Sequence, residues 1–453
     1  MADPAIAIVG AGPAGIRTAE ALSRHGLSAI LIDEAPKGGG QIYRQPPDSF
    51  QRPASSLYGF EARKASALHL TIQRLATAID YRPSTLAWNV CDGRLDTLCA
   101  GRGESVGFDI LVIATGAMDR MLPLPGWTLP GVYALGGAQI ALKYQGCAIG
   151  RRIVFLGTGP LLYLVAYQYA KAGAKIEAVL DVNSALLKRR ALFGLASSPR
   201  TLAKGIYYRT WLGAHGIAVE EGVTPMDIAG TDEVREVHYR RGSVEKSIRC
   251  DAVGLGFGLK AETQLADLAG CRFRFDGESR QWLPERNSDG ESTVSGVYLA
   301  GDGAGIGGAD AAELWGERVG LSIAARCGRP RDASRIAMID RRLARLARFR
   351  AGLERAFPLP LQGSRLADDT ILCRCEAIRV SQVRDAIRAF DVVEMNRIKA
   401  ITRVGMGRCQ GRMCGLAAAE FLAAETRQDL AAVGRLRGQP PVKPLPMPWP
   451  SAP

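Results

Sequence analysis

The stretch AIAIVGAGPAG, Ala5–Gly15, decides the fold. Ala5–Val9 is a short apolar run of strand length, and a helix-like segment follows the glycines through Arg24. Between them, Gly10 permits a tight turn, Gly12 lets backbone approach a pyrophosphate, and Gly15 lets the helix pack close on the strand. The helix N-terminus then presents its free N–H groups to the phosphates. A second strand, within SAILIDE, ends at Asp33, 18 residues beyond Gly15, where a carboxylate can hold ribose hydroxyls. Gly10, Gly12, Pro13, Ala14, Gly15, Asp33 and Glu34 are therefore candidate nucleotide-binding residues, and the predicted fold class is α/β.

Composition agrees with that class. The 453 residues suffice for about three domains of ordinary size. The 52 glycines gather in short runs behind apolar strands rather than spreading as low-complexity sequence. The charge of +13 comes from dispersed basic residues without an aromatic-interleaved patch. The densest group, RRLARLARFR at Arg341–Arg350, has Leu343, Leu346 and Phe349 at helical spacing, so it reads as an amphipathic helix with a solvated basic face. No nucleic-acid partner is expected. The longest apolar run, Ile153–Ala170, is broken by Gly157, Gly159 and Pro160 where a strand would turn into a helix, so no membrane span is expected. The N-terminus shows no basic leader, and a cytoplasmic location follows as the expectation, with membrane association only through partners.

Three later pieces name the nucleotide. Gly38-Gly39-Gly40-Gln41-Ile42-Tyr43-Arg44 follows the second strand, DILVIATGA carries Thr115 and Gly116, and VYLAGDGAGIGGAD carries Gly301 and Asp302. In order and separation, from Ala5 to about Ile323, the chain resembles the two-dinucleotide-binding flavoproteins of the glutathione and thioredoxin reductase type. The resemblance implies FAD, with the ATG segment flanking it and Asp302 at its ribityl and phosphate end. Gly40, Gln41, Arg44, Thr115, Gly116, Gly301 and Asp302 join the candidate cofactor-binding residues.

A second dinucleotide-like unit starts at Arg151. Gly157 and Gly159 are in place, but Leu162 stands where the third glycine would be, so the helix cannot approach its strand as closely. Asp181 ends the next strand. NAD(P) binding here stays open against a retained scaffold. The cysteine pairs of the disulfide reductases are missing. His25, His69, His215 and His238 lie outside every motif and read as surface or packing residues. No nucleophile-base constellation stands out, so no catalytic residue is assigned.

Ten cysteines in a reducing compartment are not expected to form a disulfide framework. Cys91, Cys99, Cys147, Cys250, Cys271 and Cys327 do not cluster and read as small buried apolar residues. The other four do cluster. Cys373 and Cys375 are two apart, so both sulfurs of an extended segment point the same way, whereas Cys409 and Cys414 would sit about 140° apart on a helix. Gly405, Gly407, Gly411 and Gly415 around the second pair indicate a loop wrapping something. The pattern C-x-C-x33-C-x4-C lacks the Cys-x2-Cys knuckles that zinc prefers. A 2Fe-2S cluster needs four thiolates and carries negative charge that Arg374, Arg408 and Arg412 would offset. The cluster is favoured; zinc, a redox disulfide or free thiols remain as alternatives.

This motif resembles the 2Fe-2S domain of the bacterioferritin-associated ferredoxin (BFD) type. Its fusion behind a GGQIYR flavoprotein resembles the α subunit of heteromeric amine dehydrogenases: opine oxidases, D-hydroxyproline dehydrogenase and hydrogen cyanide synthase. TRVGMGRCQGRMC, Thr402–Cys414, and PPVKPLP from Pro440 match as well, so the likeness covers almost the whole chain. It implies an electron-transfer subunit whose partner, a D-amino-acid-oxidase-like β subunit, oxidises an opine or a D-amino or imino acid; a small third subunit is a further implied partner. Heterotetrameric sarcosine oxidases and proline dehydrogenases are similar too, and imply another adenine nucleotide as an alternative occupant of the first site and FMN at a subunit interface. The expected domains are 1–125 and 286–360 for FAD, 126–285 for the second dinucleotide-like unit, 361–438 for the 2Fe-2S module, and a Pro-rich tail at 439–453 that lies across a partner or stays disordered.

Overall fold

Ala5–Gly15 folds as a strand, Ile6–Val9, a glycine turn and a helix, Pro13–Arg24, that begins on Gly12 as its N-cap. The strand is buried along its whole length, as its unbroken apolar run requires of a parallel strand covered on both faces. The computed structural model describes residues 3–50, 52–360 and 366–446. The expected boundary at 361 and the tail residues 447–453 lie outside them.

Two parallel five-stranded sheets organise the first three-quarters of the chain. The first has the spatial order Val297–Leu299, Ile110–Ile113, Ile6–Val9, Ile30–Ile32, Asp80–Arg82, so its outermost strand is supplied nearly two hundred residues after its neighbour. The second runs Ala218–Glu221, Lys175–Asp181, Arg152–Thr158, Ala252–Phe257, Val132–Ala134. Small antiparallel sheets hang from each, Thr85–Gly107 on the first and Val223–Arg249 on the second. The apolar run Ile153–Ala170 divides between the strand Arg152–Thr158 and the helix Pro160–Lys171. No helix among the described residues is long and apolar enough to cross a membrane.

The basic segment lies in the helix Ala333–Ala356, capped by Asp332, whose carboxylate accepts the Arg335 N–H at 2.9 Å. Phe349 is buried while most of the arginines face solvent, as an amphipathic helix requires.

The C-terminal module has its own core, built on the helices Val380–Phe390, Met395–Thr402 and Gly415–Thr426. It docks on the rest of the chain through buried polar contacts. Trp127 Nε1 donates to Ile371 O at 2.6 Å, and Arg120 donates to Glu420 at 2.5 Å, with the Arg120 side chain 1% and the Glu420 side chain 6% exposed.

The tail departs from expectation over its described part. Pro440–Pro446 folds back on its own chain, a course neither expectation named. Val442 is buried and its N–H donates to Trp88 O at 3.0 Å. Lys443 pairs with Glu34 beside the first nucleotide site. A proline-rich segment cannot build a core, but it can add one apolar side chain and one cation to a surface already formed.

Candidate functional site

The nucleotide site is assembled by close backbone approach. Gly10 has φ +107°, and a side chain there would run into the carbonyl of Ala114 at the end of the neighbouring strand. A Cβ on Gly15 would collide with the carbonyl of Gly10, which is what holds the helix against the strand. Gly40 sits over Gly12 and Pro13, and Gly39 N–H donates to Ala11 O at 2.8 Å, so the loop after the second strand closes on the glycine turn. Gly301, with φ +75°, packs against Ala14. No acidic residue lies in the first turn of the helix Pro13–Arg24, which leaves its positive end free for an anion.

Asp33 Oδ2 accepts Ala11 N–H at 2.5 Å and Oδ1 accepts Ala35 N–H at 2.7 Å, and burial pushes its carboxyl above the ordinary range against these bonds. Asp302 Oδ1 accepts Gly307 N–H at 2.9 Å and Gly308 N–H at 3.0 Å, and burial raises it likewise. Glu34 is exposed and held by Lys443. Gln41 is exposed, its Oε1 accepting Arg44 Nη2 at 3.1 Å. Thr115 Oγ1 donates to Glu262 O at 2.8 Å, and Glu262 N–H to Gly116 O at 3.0 Å. The cradle that added Cβ atoms would fill, the free helix end and the two carboxylates together fit a dinucleotide. A Gly15→Ala variant should push the helix off its strand, cost about 1–3 kcal/mol in stability and weaken nucleotide binding at least about tenfold, read as FAD retained after gel filtration.

At the second unit, Leu162 is fully buried in the place of the third glycine. Asp181 is also fully buried. It accepts Tyr163 Oη at 2.7 Å, Lys188 Nζ at 2.6 Å and Asn183 N–H at 2.9 Å, so both oxygens are engaged within the chain. Asn183 in turn donates to Pro358 O at 2.9 Å.

The four clustered cysteines come from a strand end, two turns and a helix N-cap. Cys373 closes the strand Ile371–Cys373, Cys375 and Cys409 lie in turns, and Cys414 caps the helix Gly415–Thr426. The Cys414 thiol donates to the Cys373 sulfur, and with the N–H groups of Gly405, Glu376 and Cys375 this holds Cys373 down to about 6. Cys375 and Cys409 are hydrogen-bonded to each other, and the Cys409 N–H also points at the Cys375 sulfur. Four cysteines gathered in one module, with backbone N–H groups aimed at the Cys373 and Cys375 sulfurs, are a donor set of the kind a 2Fe-2S cluster takes. Gly405, Gly411 and Gly415 prove to have a packing reason as well: each faces the Leu436 side chain, and added Cβ atoms would crowd it.

Two expectations need correction. Of the six other cysteines only Cys250 and Cys271 are buried; Cys91, Cys99 and Cys147 are exposed and Cys327 is intermediate. Cys91 and Cys99 fall at the ends of hairpin strands, where no second layer covers them. Among the arginines beside the ligands, Arg374 and Arg408 are exposed, and Arg412 is paired with Glu262. A half-buried cation near Cys409 and Cys414 is Lys260, which no motif marks because it stands well over a hundred residues upstream. Part of its side chain is exposed, but burial pushes its ammonium down to about 8, with Glu262, Cys414 and Cys409 the nearby groups of opposite charge. Removing it as Lys260→Met should make the cluster about tenfold harder to reduce, 59 mV for one electron, measured by a redox titration followed by electron paramagnetic resonance.

Two parallel sheets with the glycine turn on one of them, and a separate four-thiol module docked beside them, define a dinucleotide-binding flavoprotein carrying an iron–sulfur domain. The family model for pyridine nucleotide-disulphide oxidoreductases matches residues 4–322, and that for the BFD-like 2Fe-2S binding domain matches residues 371–424. The chain belongs to the pyridine nucleotide-disulphide oxidoreductase family, within the group that includes the A subunits of opine oxidases. It is 36% identical to the opine oxidase A subunit of Agrobacterium tumefaciens (strain Ach5), over 97% of this chain and 89% of that one. Hydrogen cyanide synthase subunit HcnB of Pseudomonas aeruginosa is 33% identical over 97% and 96%. Among solved structures, L-proline dehydrogenase from P. horikoshii superposes with a TM-score of 0.73 at 20% identity, covering 98% of this chain and 79% of that one, a likeness of fold. The protein is an oxidoreductase of the FAD and 2Fe-2S class.

Proposed function

We propose that this chain is the electron-relay α subunit of a heteromeric flavin-dependent dehydrogenase or oxidase acting on CH–NH donors. A partner β subunit resembling D-amino-acid oxidase would oxidise the substrate, an opine of the octopine or nopaline type or a D-amino or imino acid such as D-hydroxyproline. Gly10, Gly12, Pro13, Ala14, Gly15, Asp33, Glu34, Gly40, Gln41, Arg44, Thr115, Gly116, Gly301 and Asp302 would hold FAD. Cys373, Cys375, Cys409 and Cys414 would hold the cluster. FMN at the interface with the partner belongs to the same reading.

The observation that carries this reading is the seating of the Cys409–Cys414 loop on the segment Lys260–Gln264, which also braces the Thr115–Gly116 turn. FAD accepts two electrons and a 2Fe-2S cluster passes one, so their pairing in one chain splits a hydride equivalent into single steps. The full burial of Asp181 and its pairing with Lys188 weigh against a free-standing NAD(P)H oxidoreductase, since the carboxylate that would take a ribose is out of a ligand's reach. The names of the relatives, the opine oxidase A subunit and hydrogen cyanide synthase subunit HcnB, support a heteromeric assembly.

The test is co-purification with the products of neighbouring genes, followed by absorption spectra before and after adding octopine, nopaline, D-hydroxyproline or glycine. Reduction of flavin and cluster together by one of these is the expected result, and glycine as that one would favour a cyanide-synthase-like role. Bleaching of the isolated chain's flavin by NADH, with no response to any amine in the complex, would overturn the reading.

A further inference from the structure

Glu262 lies outside every sequence motif, yet it contacts the walls of both redox sites. Its backbone brackets the flavin-side turn, the carbonyl accepting Thr115 Oγ1 at 2.8 Å and the N–H donating to Gly116 O at 3.0 Å. Its side chain reaches the other way: Arg412 Nε donates to Glu262 Oε2 at 2.6 Å, with the two side chains 11% and 12% exposed. Arg412 stands between Cys409 and Cys414. Gln264 adds two bonds that fix the same geometry, its N–H to Glu262 Oε1 at 3.2 Å and its Nε2 to Gln410 O at 2.6 Å. A single residue thus ties the turn beside the flavin directly to the loop that carries two of the thiols.

We infer that Glu262 is the positioning residue for electron transfer between FAD and the 2Fe-2S cluster, holding the Cys409–Cys414 loop in register with the Thr115–Gly116 turn through Arg412. The inference rests on the relay reading above. A largely buried ion pair is a poor source of net stability, because desolvation offsets most of the attraction. What it supplies over an apolar contact is direction, since a charge-assisted bond fixes both the separation and the angle of its partners. Glu262 also cancels the charge of Arg412, so the pair adds little net field at the thiols and its contribution there is geometric. The transfer it serves moves one electron, lost by reduced FAD and gained by the oxidised cluster, and no bond to a protein atom forms or breaks.

The experiment compares the purified full-length chain with Glu262→Gln, Arg412→Gln and the double variant, each first assayed for FAD, iron and sulfide. Glutamine at 262 keeps the backbone bonds to Thr115 and Gly116 and loses the ion pair with Arg412 together with the negative charge facing Lys260. Flavin is reduced by a light flash with a photosensitiser and the cluster signal is followed, so no amine substrate or partner is needed and failure of the substrate reading leaves the outcome untouched. The expected result is full cofactor content with transfer slowed about tenfold or more in each single variant, and a double variant no slower than Arg412→Gln, which also loses the Arg412 bond to Val442 O. Wild-type rates in Glu262→Gln, multiplied effects in the double variant, or loss of iron from both single variants would each overturn the assignment.

Discussion

Replacing Cys409 by serine should leave the flavin spectrum of the purified chain intact and remove its iron and sulfide. The serine hydroxyl is a far poorer ligand than a thiolate, and the module has no further cysteine to take its place. Cys409 belongs to the far module, whose core is built without any residue of the nucleotide site, so FAD content should not follow the iron. Iron and sulfide assays alongside the 450 nm region of the flavin spectrum, taken at about one FAD per chain in both proteins, read the result directly. Retention of stoichiometric iron in Cys409→Ser would reject the four-cysteine ligand set, and simultaneous loss of flavin would show that the two modules do not fold separately.

The second large effect concerns the buried pair that docks the module. Glu420→Ala should lower stability by about 3–5 kcal/mol, because it leaves the Arg120 guanidinium in the interior without its counter-charge. Arg120 is fully buried. Besides Glu420 its side chain donates, among the described residues, to Ser279 O at 2.7 Å, and burial pulls its pKa below the usual arginine value. Arg280, 3.5 Å from Glu420 on the same side, would be left facing Arg120 across the gap. An Arg120→Met, Glu420→Leu double variant should recover most of the loss, since apolar groups of similar volume carry no desolvation cost. Urea unfolding followed through both cluster absorption and far-ultraviolet circular dichroism separates undocking of the module from global unfolding. A single-variant loss below about 1 kcal/mol would mean that water or a rearranged Arg280 compensates the charge.

Much of the nucleotide half is legible locally. The strand, glycine turn and helix at Ala5–Arg24 declare themselves within twenty residues, because period, turn chemistry and helix start are all short-range properties. The same holds for Gly157–Pro160, where two glycines and a proline cut an apolar run into strand and helix. The four cysteines are legible as a set because ligand chemistry restricts which residues can belong to it, even across the gap between Cys375 and Cys409. The exposure of half of the remaining cysteines is not legible, because composition says nothing of whether a second layer covers a hairpin end. The course of the tail is not legible either, because nothing local in PPVKPLP tells whether Val442 meets a partner or its own chain.

What the sequence determined by itself is therefore the α/β class, the glycine turn with Asp33 beyond it, and a thiol-rich module of the BFD-like 2Fe-2S type at the far end. Each follows from residues close together or from ligand chemistry that few side chains can perform. What only the tertiary structure decided is how the two parts meet: Arg120 with Glu420, 300 residues apart, and Glu262 with Arg412, 150 apart. At such separations a charged residue reads in sequence as one more solvated side chain, and only the folded chain, by excluding water around the pair, turns it into a contact that orients.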